Sequence, residues 1–209
     1  MRVLIADDHA VVRGGVKLAL LEEFGEIVLG EAATGAEAVS SVLTGTWDLV
    51  IMDISMPGRS GLEALKQLKE LRPELPVLMF SMYPEEQYAV RALRAGAAGY
   101  LTKASIPEEL VKAVHKTLAG GKYVSAELAE RLAAEAGPPS DKPPHEALSD
   151  REYQILRLLA SGKTAKEIAG ELGISVNTAS TYHARIRAKM KLQTDAELTR
   201  YAVEHKLLD

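Results

Sequence analysis

Apolar and polar positions follow two different rhythms along this chain. From Arg2 to about Gly120, short apolar runs are separated by stretches of helical periodicity. The clearest runs are Val3-Leu4-Ile5-Ala6, Leu49-Val50-Ile51-Met52, Val77-Leu78-Met79-Phe80 and Gly99-Tyr100-Leu101-Thr102. Continuous apolar runs of this length, bounded by turns, read as strands buried on both faces of a parallel sheet. The pattern predicts strands over 2–7, 27–31, 48–53, 76–81 and 98–102. It predicts helices over 9–22, 35–44, 61–71, 85–95 and 106–119. Five βα units in succession imply an α/β domain with helices on both faces of the sheet.

One more short helix is predicted over 124–136. The chain then breaks at Gly137-Pro138-Pro139-Ser140-Asp141-Lys142-Pro143-Pro144, where two Pro-Pro pairs make a semi-extended linker. Beyond it, 146–209 carries helical periodicity only. The expected organisation is an α/β domain over 1–122, a helix and linker over 123–145, and an all-α domain over 146–209.

Composition narrows the class. Of the 209 residues, 47% are hydrophobic, enough for real cores. There is no Cys, which excludes disulfides and Cys-based zinc sites. The N-terminus runs directly into strand-like residues, so no signal peptide is expected. No apolar run approaches the roughly 20 residues of a membrane span, so no membrane partner is expected. A formal net charge of −4 argues against coating nucleic acid by bulk charge. A cytoplasmic protein is the expectation.

The strand ends carry the chemistry. The first run leads into Asp7-Asp8, the third strand into Asp53, the fourth into Ser81 and the fifth into Lys103. Ligands of open α/β sheets bind at the carboxyl ends of the strands. Three carboxylates, a hydroxyl and an amine should therefore converge on one crevice. Packed carboxylates repel unless a cation sits among them. An oxygen-rich site with few protein ligands suits Mg²⁺. A carboxylate can itself attack phosphorus, and a metal and a Lys can neutralise the transferring group. Taken singly, Asp8 and Asp53 would be helix caps and Lys103 a surface charge. Their recurrence at successive strand ends argues for a site.

Asp7-Asp8, then Asp53-Ile54-Ser55-Met56-Pro57 with Gly61, then Ser81, then Gly96-Ala97-Ala98-Gly99-Tyr100-Leu101-Thr102-Lys103 resemble a response-regulator receiver domain over residues 1 to about 120. The resemblance implies a flavodoxin-like doubly wound sandwich with strand order 2-1-3-4-5. It implies that Asp53 accepts phosphate from the phosphohistidine of a sensor histidine kinase. Asp8, Asp53 and the backbone carbonyl of Ser55 would hold Mg²⁺, with Asp7 acting through water. Lys103 would pair with the phosphate. Ser81 and Tyr100 would be the switch pair, with Tyr100 turning from exposed to buried. Two departures from the pattern are Met82 after Ser81 and Ala104 after Lys103.

The second half announces helix starts. Ser149-Asp150-Arg151-Glu152 and Thr164-Ala165-Lys166-Glu167 are capping boxes, and Ser175 before Val176 is a simpler N-cap. Ala165, Ile168, Ala169 and Leu172 mark one buried helix face. After Gly173-Ile174-Ser175, a second helix runs over 176–190 with Ala179, Tyr182, Ile186 and Met190 inward. Two short helices across a Gly-containing turn form a helix-turn-helix pattern. On the outer side of the second helix lie Asn177, Ser180, Thr181, Ala184 and Arg185. Arg185, Arg187, Lys189 and Lys191 make its end basic, with no acid between 176 and 191. Small polar side chains let a helix approach base edges while basic residues take phosphates.

Leu148-Ser149-Asp150-Arg151-Glu152, Leu158-Leu159-Ala160-Ser161-Gly162, Lys166-Glu167-Ile168-Ala169 and Leu172-Gly173-Ile174-Ser175, continuing through Thr178, Ile186 and Lys189, resemble the LuxR/NarL-type DNA-binding domain. The resemblance implies four helices, the last at about 195–206 and often a dimer contact, and it adds Thr178 to the DNA-facing set. The family often carries Lys and His where this chain has Ser180 and Tyr182, so its target is its own. Residues 146–209 hold ten Lys and Arg against nine Asp and Glu, a net charge of only +1. Duplex DNA binding would then rest on local charge and on homodimers, formed on phosphorylation or on DNA. His9 is expected at a helix start rather than as a ligand. Two other classes of protein share some of these features. A metal-dependent aspartyl-phosphate phosphohydrolase would want an acid two residues after Asp53, where Ser55 stands. An adaptor would use the helix-turn-helix on protein instead of DNA.

Overall fold

The computed structural model describes residues 1–105, 107–135 and 143–208. The chain divides into two compact units, Met1–Gly137 and Pro138–Asp209. In the first, β1 (Arg2–Ala6), β2 (Val28–Ala32), β3 (Leu49–Met52), β4 (Val77–Ser81) and β5 (Gly99–Thr102) form one parallel sheet in the order β2-β1-β3-β4-β5. Every residue of β3 and β4 is buried, which is why these strands read as unbroken apolar runs instead of alternating ones.

The intervening helices are α1 (Ala10–Phe24), α2 (Gly35–Thr44), α3 (Gly61–Leu71), α4 (Glu85–Arg94) and α5 (Pro107–Leu118). Successive strand side chains point to opposite faces. Val3, Ile5, Leu49, Ile51, Leu78, Phe80 and Leu101 meet α1 through Val16 and Leu20, and α5 through Leu110, Ala113 and Val114. The other face is covered by the apolar stripes of α2, α3 and α4, including Val39, Val42, Leu62, Leu65 and Tyr88. Helix α3 starts on a capping box between Ser60 and Glu63. Its first residue needs to be Gly61: a Cβ there would lie 1.8 Å from the carbonyl oxygen of Asp53.

Register aligns the business end of the sheet. Ala6 pairs with both Ala32 and Met52, so Asp7 and Asp53 emerge side by side from β1 and β3. The Asp7 amide donates to Ala32 O at 3.0 Å, and that of Asp53 to Ala6 O at 2.8 Å. Strand order reverses between β1 and β3, which places both acids at the switch point where open α/β sheets bind ligands.

The helix predicted over 124–136 is α6 (Ala126–Glu135), with residue 136 outside the described residues. The segment leading into it is stitched to the sheet. Tyr123 donates its N–H to Ala98 O at 2.9 Å and accepts the Tyr100 N–H at 3.1 Å. Ser125 caps α6 through the Leu128 amide, and its hydroxyl bonds the Glu85 carboxylate at the start of α4. Most of the predicted Pro-rich linker lies outside the described residues; Pro144–Ala147 forms a single 3₁₀ turn.

The second unit is all-α, as predicted: α7 (Asp150–Ala160), α8 (Ala165–Leu172), α9 (Val176–Met190) and α10 (Asp195–Glu204). The expected capping boxes at Ser149 and Thr164 and the simple cap at Ser175 are present, and Thr194 with Glu197 adds another box. Ile168, Ala169 and Leu172 of α8 and Ala179, Ile186 and Met190 of α9 are buried. Gly173, in the left-handed region at φ 61°, makes the turn between the two helices. Helix α7 also buries polar groups with partners: Arg151 reaches Gln154 and Leu172 O, and Arg157 reaches Leu207 O.

Candidate phosphoacceptor site and nucleic-acid interface

The carboxyl ends of β1, β3, β4 and β5 bring Asp7, Asp53, Ser81 and Lys103 together. Lys103 Nζ lies 2.6 Å from Asp7 Oδ2 and 2.9 Å from Asp53 Oδ2, and all three side chains are at least 96% buried. The Lys103 amide donates to Ser81 O at 2.7 Å, which fixes the root of the lysine on the strand next to the acids. Asp53 also accepts the Ile54 N–H through Oδ1 at 2.7 Å. Burial pushes the Asp53 carboxyl above its ordinary value, and Asp7 adds to this, while Lys103 opposes it. Burial works against the Lys103 ammonium too, but Asp53 and Asp7 outweigh it and hold its pKa up.

Asp8 sits at the mouth of the crevice, partly exposed. Asp7, Asp8 and His9 each place a ligand atom within 4.8 Å of the others. Among the described residues Asp8 Oδ1 is buried and accepts no hydrogen bond; His9 Nδ1, 2.7 Å away, is out of hydrogen-bonding direction. A buried carboxylate oxygen left without a donor is costly. Two buried carboxylates share the Lys103 ammonium, which leaves a charge of −1, and Asp8 beside Asp7 adds another negative charge at the crevice. The donor set therefore fits a divalent, oxygen-seeking cation. Ser55 is half-buried in the β3–α3 loop, two residues beyond Asp53. His9 is the N-cap residue of α1, at a helix start as expected.

Ser81 is fully buried and its hydroxyl accepts the Tyr83 N–H at 3.3 Å. Tyr100 is fully buried as well, and its hydroxyl donates to Tyr83 O at 2.8 Å. Sequence reasoning places the Tyr100 ring outside in a resting form; in the structure the Tyr83 carbonyl satisfies the hydroxyl and the ring sits inside. Tyr83, which no sequence motif marks, joins the two switch candidates, and its ring stacks on Tyr88 of α4 at 4.7 Å. Met82 projects outward beside them, 73% exposed.

In the second unit, Asn177, Thr178, Ser180, Thr181, Ala184 and Arg185 are all exposed on α9, and Lys191 is exposed at its C-cap. Lys189 does not join them freely. Its ammonium lies 2.6 Å from Glu152 Oε2, whose side chain is 5% exposed. The same oxygen accepts the Ser149 N–H at 2.8 Å. The capping box was legible in the sequence; its use as an ion-pair partner 37 residues away was not.

Residues 3–115 match the family described as response regulator receiver domain, and residues 146–202 match bacterial regulatory proteins of the luxR family. The chain belongs to the LuxR-type response regulators. It is 35% identical to the response regulator UvrY of Escherichia coli strain K12, over 99% of this chain and 95% of that protein. It is 37% identical to the response regulator GacA of Pseudomonas protegens, over 100% of this chain and 98% of that protein. RcsB from Salmonella enterica serovar Typhimurium, solved bound to the promoter rprA in the presence of phosphomimetic BeF3−, superposes with a TM-score of 0.64 at 26% identity, covering 97% of this chain and 98% of that one. This response regulator thus joins a receiver domain to a LuxR-type DNA-binding domain. No helix among its described residues is long and apolar enough to cross a membrane.

Proposed function

We propose that this response regulator accepts a phosphoryl group on Asp53 from a sensor histidine kinase and, so switched, binds promoter DNA as a homodimer. The observation that carries the reading is the shared lysine: Lys103 bridges Asp7 and Asp53 at adjoining strand ends. Asp8, Asp53 and the Ser55 carbonyl would hold Mg²⁺, with Asp7 acting through water. When bound, the metal supplies positive charge for the phosphoryl oxygens. Asp53 Oδ attacks phosphorus, a P–O bond forms, and the P–N bond of the phosphohistidine breaks with its electron pair leaving on the imidazole nitrogen. Lys103 then exchanges a carboxylate for a phosphoryl oxygen as partner, and Ser81 can donate its hydroxyl proton to another. Tyr100 reports the change. The protein catalyses only its own phosphorylation and dephosphorylation.

On DNA, Asn177, Thr178, Ser180, Thr181, Ala184 and Arg185 face the bases and nearby phosphates, and Lys191 takes a phosphate. Lys189 contributes through Glu152 more than through DNA. The organisation this reading uses is a receiver over 1–122, a connecting helix and linker over 123–145, and the DNA-binding domain over 146–209. A kinase donor and a DNA target put the site of action in the cytoplasm. Incubation with phosphoramidate and Mg²⁺, followed by intact-mass measurement, should add one phosphate to wild type and none to Asp53→Asn. Equal labelling of the variant would remove Asp53 from this role.

A further inference from the structure

We infer that Arg13 is a positioning residue for the metal-binding loop, holding Asp7 and Asp8 in place from outside the crevice. This rests on the reading of Asp8 and Asp53 as metal ligands. Arg13 lies on the first turn of α1, and its side chain is 15% exposed. Its Nη1 donates to the backbone carbonyl of Asp7 at 2.7 Å. Its Nε donates to Glu31 Oε2 at 2.7 Å. Lys17, one turn further along α1, donates to the other Glu31 oxygen at 2.6 Å. One guanidinium thus ties the loop after β1 to β2 and to the body of α1. A planar fork can reach a carbonyl and a carboxylate at once; an ammonium on a flexible stem cannot hold that geometry.

The rest of the loop shows why an outside tether is useful. The Asp7 carboxylate already accepts the His9 N–H and the Lys103 ammonium, and Asp7 and Asp8 are consecutive. Rotation of the Asp7 peptide would therefore move the Asp8 carboxylate out of its place beside Asp7. The Arg13 contact is to that peptide's own carbonyl. Supporting groups of this kind commonly change metal affinity 10–100-fold.

Geometry and charge predict opposite signs, which makes the inference testable. Arg13 is a cation near a cation site, so its removal on electrostatic grounds alone would tighten Mg²⁺ binding. Loss of the tether would weaken it. Mg²⁺ titrations of the full-length protein by calorimetry, and by amide shifts of Asp8 and Asp53, should give a dissociation constant roughly 10-fold higher for Arg13→Ala. The phosphorylation rate at saturating Mg²⁺ should return to near the wild-type value. Arg13→Lys, which keeps the charge, should behave like Arg13→Ala. If Arg13→Ala does not fold, Arg13→Lys carries the test, because it keeps the charge and the aliphatic stem and loses the planar fork. Unchanged or tighter Mg²⁺ binding, or a rate that stays low at saturating Mg²⁺, overturns the inference. Absence of Mg²⁺ binding in wild type would instead overturn the metal assignment beneath it.

Discussion

Replacing Lys189 with Ala should cost folding stability and leave the salt dependence of DNA binding unchanged. The Glu152 carboxylate is nearly buried, while the Lys189 side chain is about half in water at 45% exposed. Breaking a fully buried pair costs about 3–5 kcal/mol, and an exposed pair is worth about 0.2–1 kcal/mol. This pair stands between those limits, and the Ser149 amide still serves Glu152 after the change. A loss of about 1–2 kcal/mol follows, worth roughly 4–16 °C in the melting temperature of a domain this size. Burial alone would raise the Glu152 carboxyl, but the Lys189 and Ser149 donors outweigh it and hold it below the usual carboxylate range. A lowered native pKa gives stability that is present above the unfolded value and lost as pH falls through the native one. The gap between wild type and variant should therefore close in acid. In DNA titrations across salt concentrations, Lys191→Ala should reduce the slope of log K against log salt by about 0.9, the share of one phosphate contact. Lys189→Ala should leave the slope as it is. A Lys189→Ala protein of full stability whose slope drops as far as that of Lys191→Ala would refute the ion pair and return Lys189 to the DNA.

Other outcomes can be checked with the same protein. Tyr100→Phe removes only the hydroxyl held by Tyr83 O, so mass-detected phosphorylation of Asp53 should stay intact while the phosphodonor-induced gain in operator affinity, about 5–150-fold in wild type, shrinks. Ser180→Ala and Thr181→Ala should change which duplexes are preferred in a selection experiment more than they change binding to random DNA. Gly61→Ala forces a methyl onto the Asp53 carbonyl, so its thermal midpoint and its phosphorylation rate should fall together.

The inner strands β3 and β4 were legible because parallel strands covered on both faces leave no polar residue until they end, and their ends are the site; β2, at the sheet edge with Glu31 inside it, carries no such run. Asp7, Asp53, Ser81 and Lys103 fall into place for that reason. The helix starts in the second unit were legible because capping boxes are local. What the sequence concealed depends on distance in three dimensions. Arg13 looks like an ordinary base on the first turn of α1; that one guanidinium joins the Asp7 carbonyl to Glu31 of β2 shows only in the fold. Lys189 belongs by pattern to the basic end of α9, and only the packing of α7 against α9 presents Glu152 to it. Tyr100 reads as a surface switch until the Tyr83 carbonyl is seen to accept its hydroxyl. Helix α1 runs to Phe24, two residues past its predicted end, because Phe24 packs against the core cluster and extends the apolar face.

The stitching of Tyr123 to β5 has a consequence for how such proteins are assembled from parts. β5 is the last strand of the sheet, and outside its pairing with β4 its edge is served by a backbone that arrives after α5 has ended. Cutting the chain at residue 120 would leave the Tyr100 N–H and the Ala98 carbonyl without partners, on a strand whose side chains are almost all buried. An open edge of that kind invites pairing with another chain. The exchangeable cassette is therefore longer than its five βα repeats. Grafting this receiver onto another output domain would keep these edge bonds only if the junction fell beyond Tyr123, a point that the repeat pattern itself gives no reason to choose.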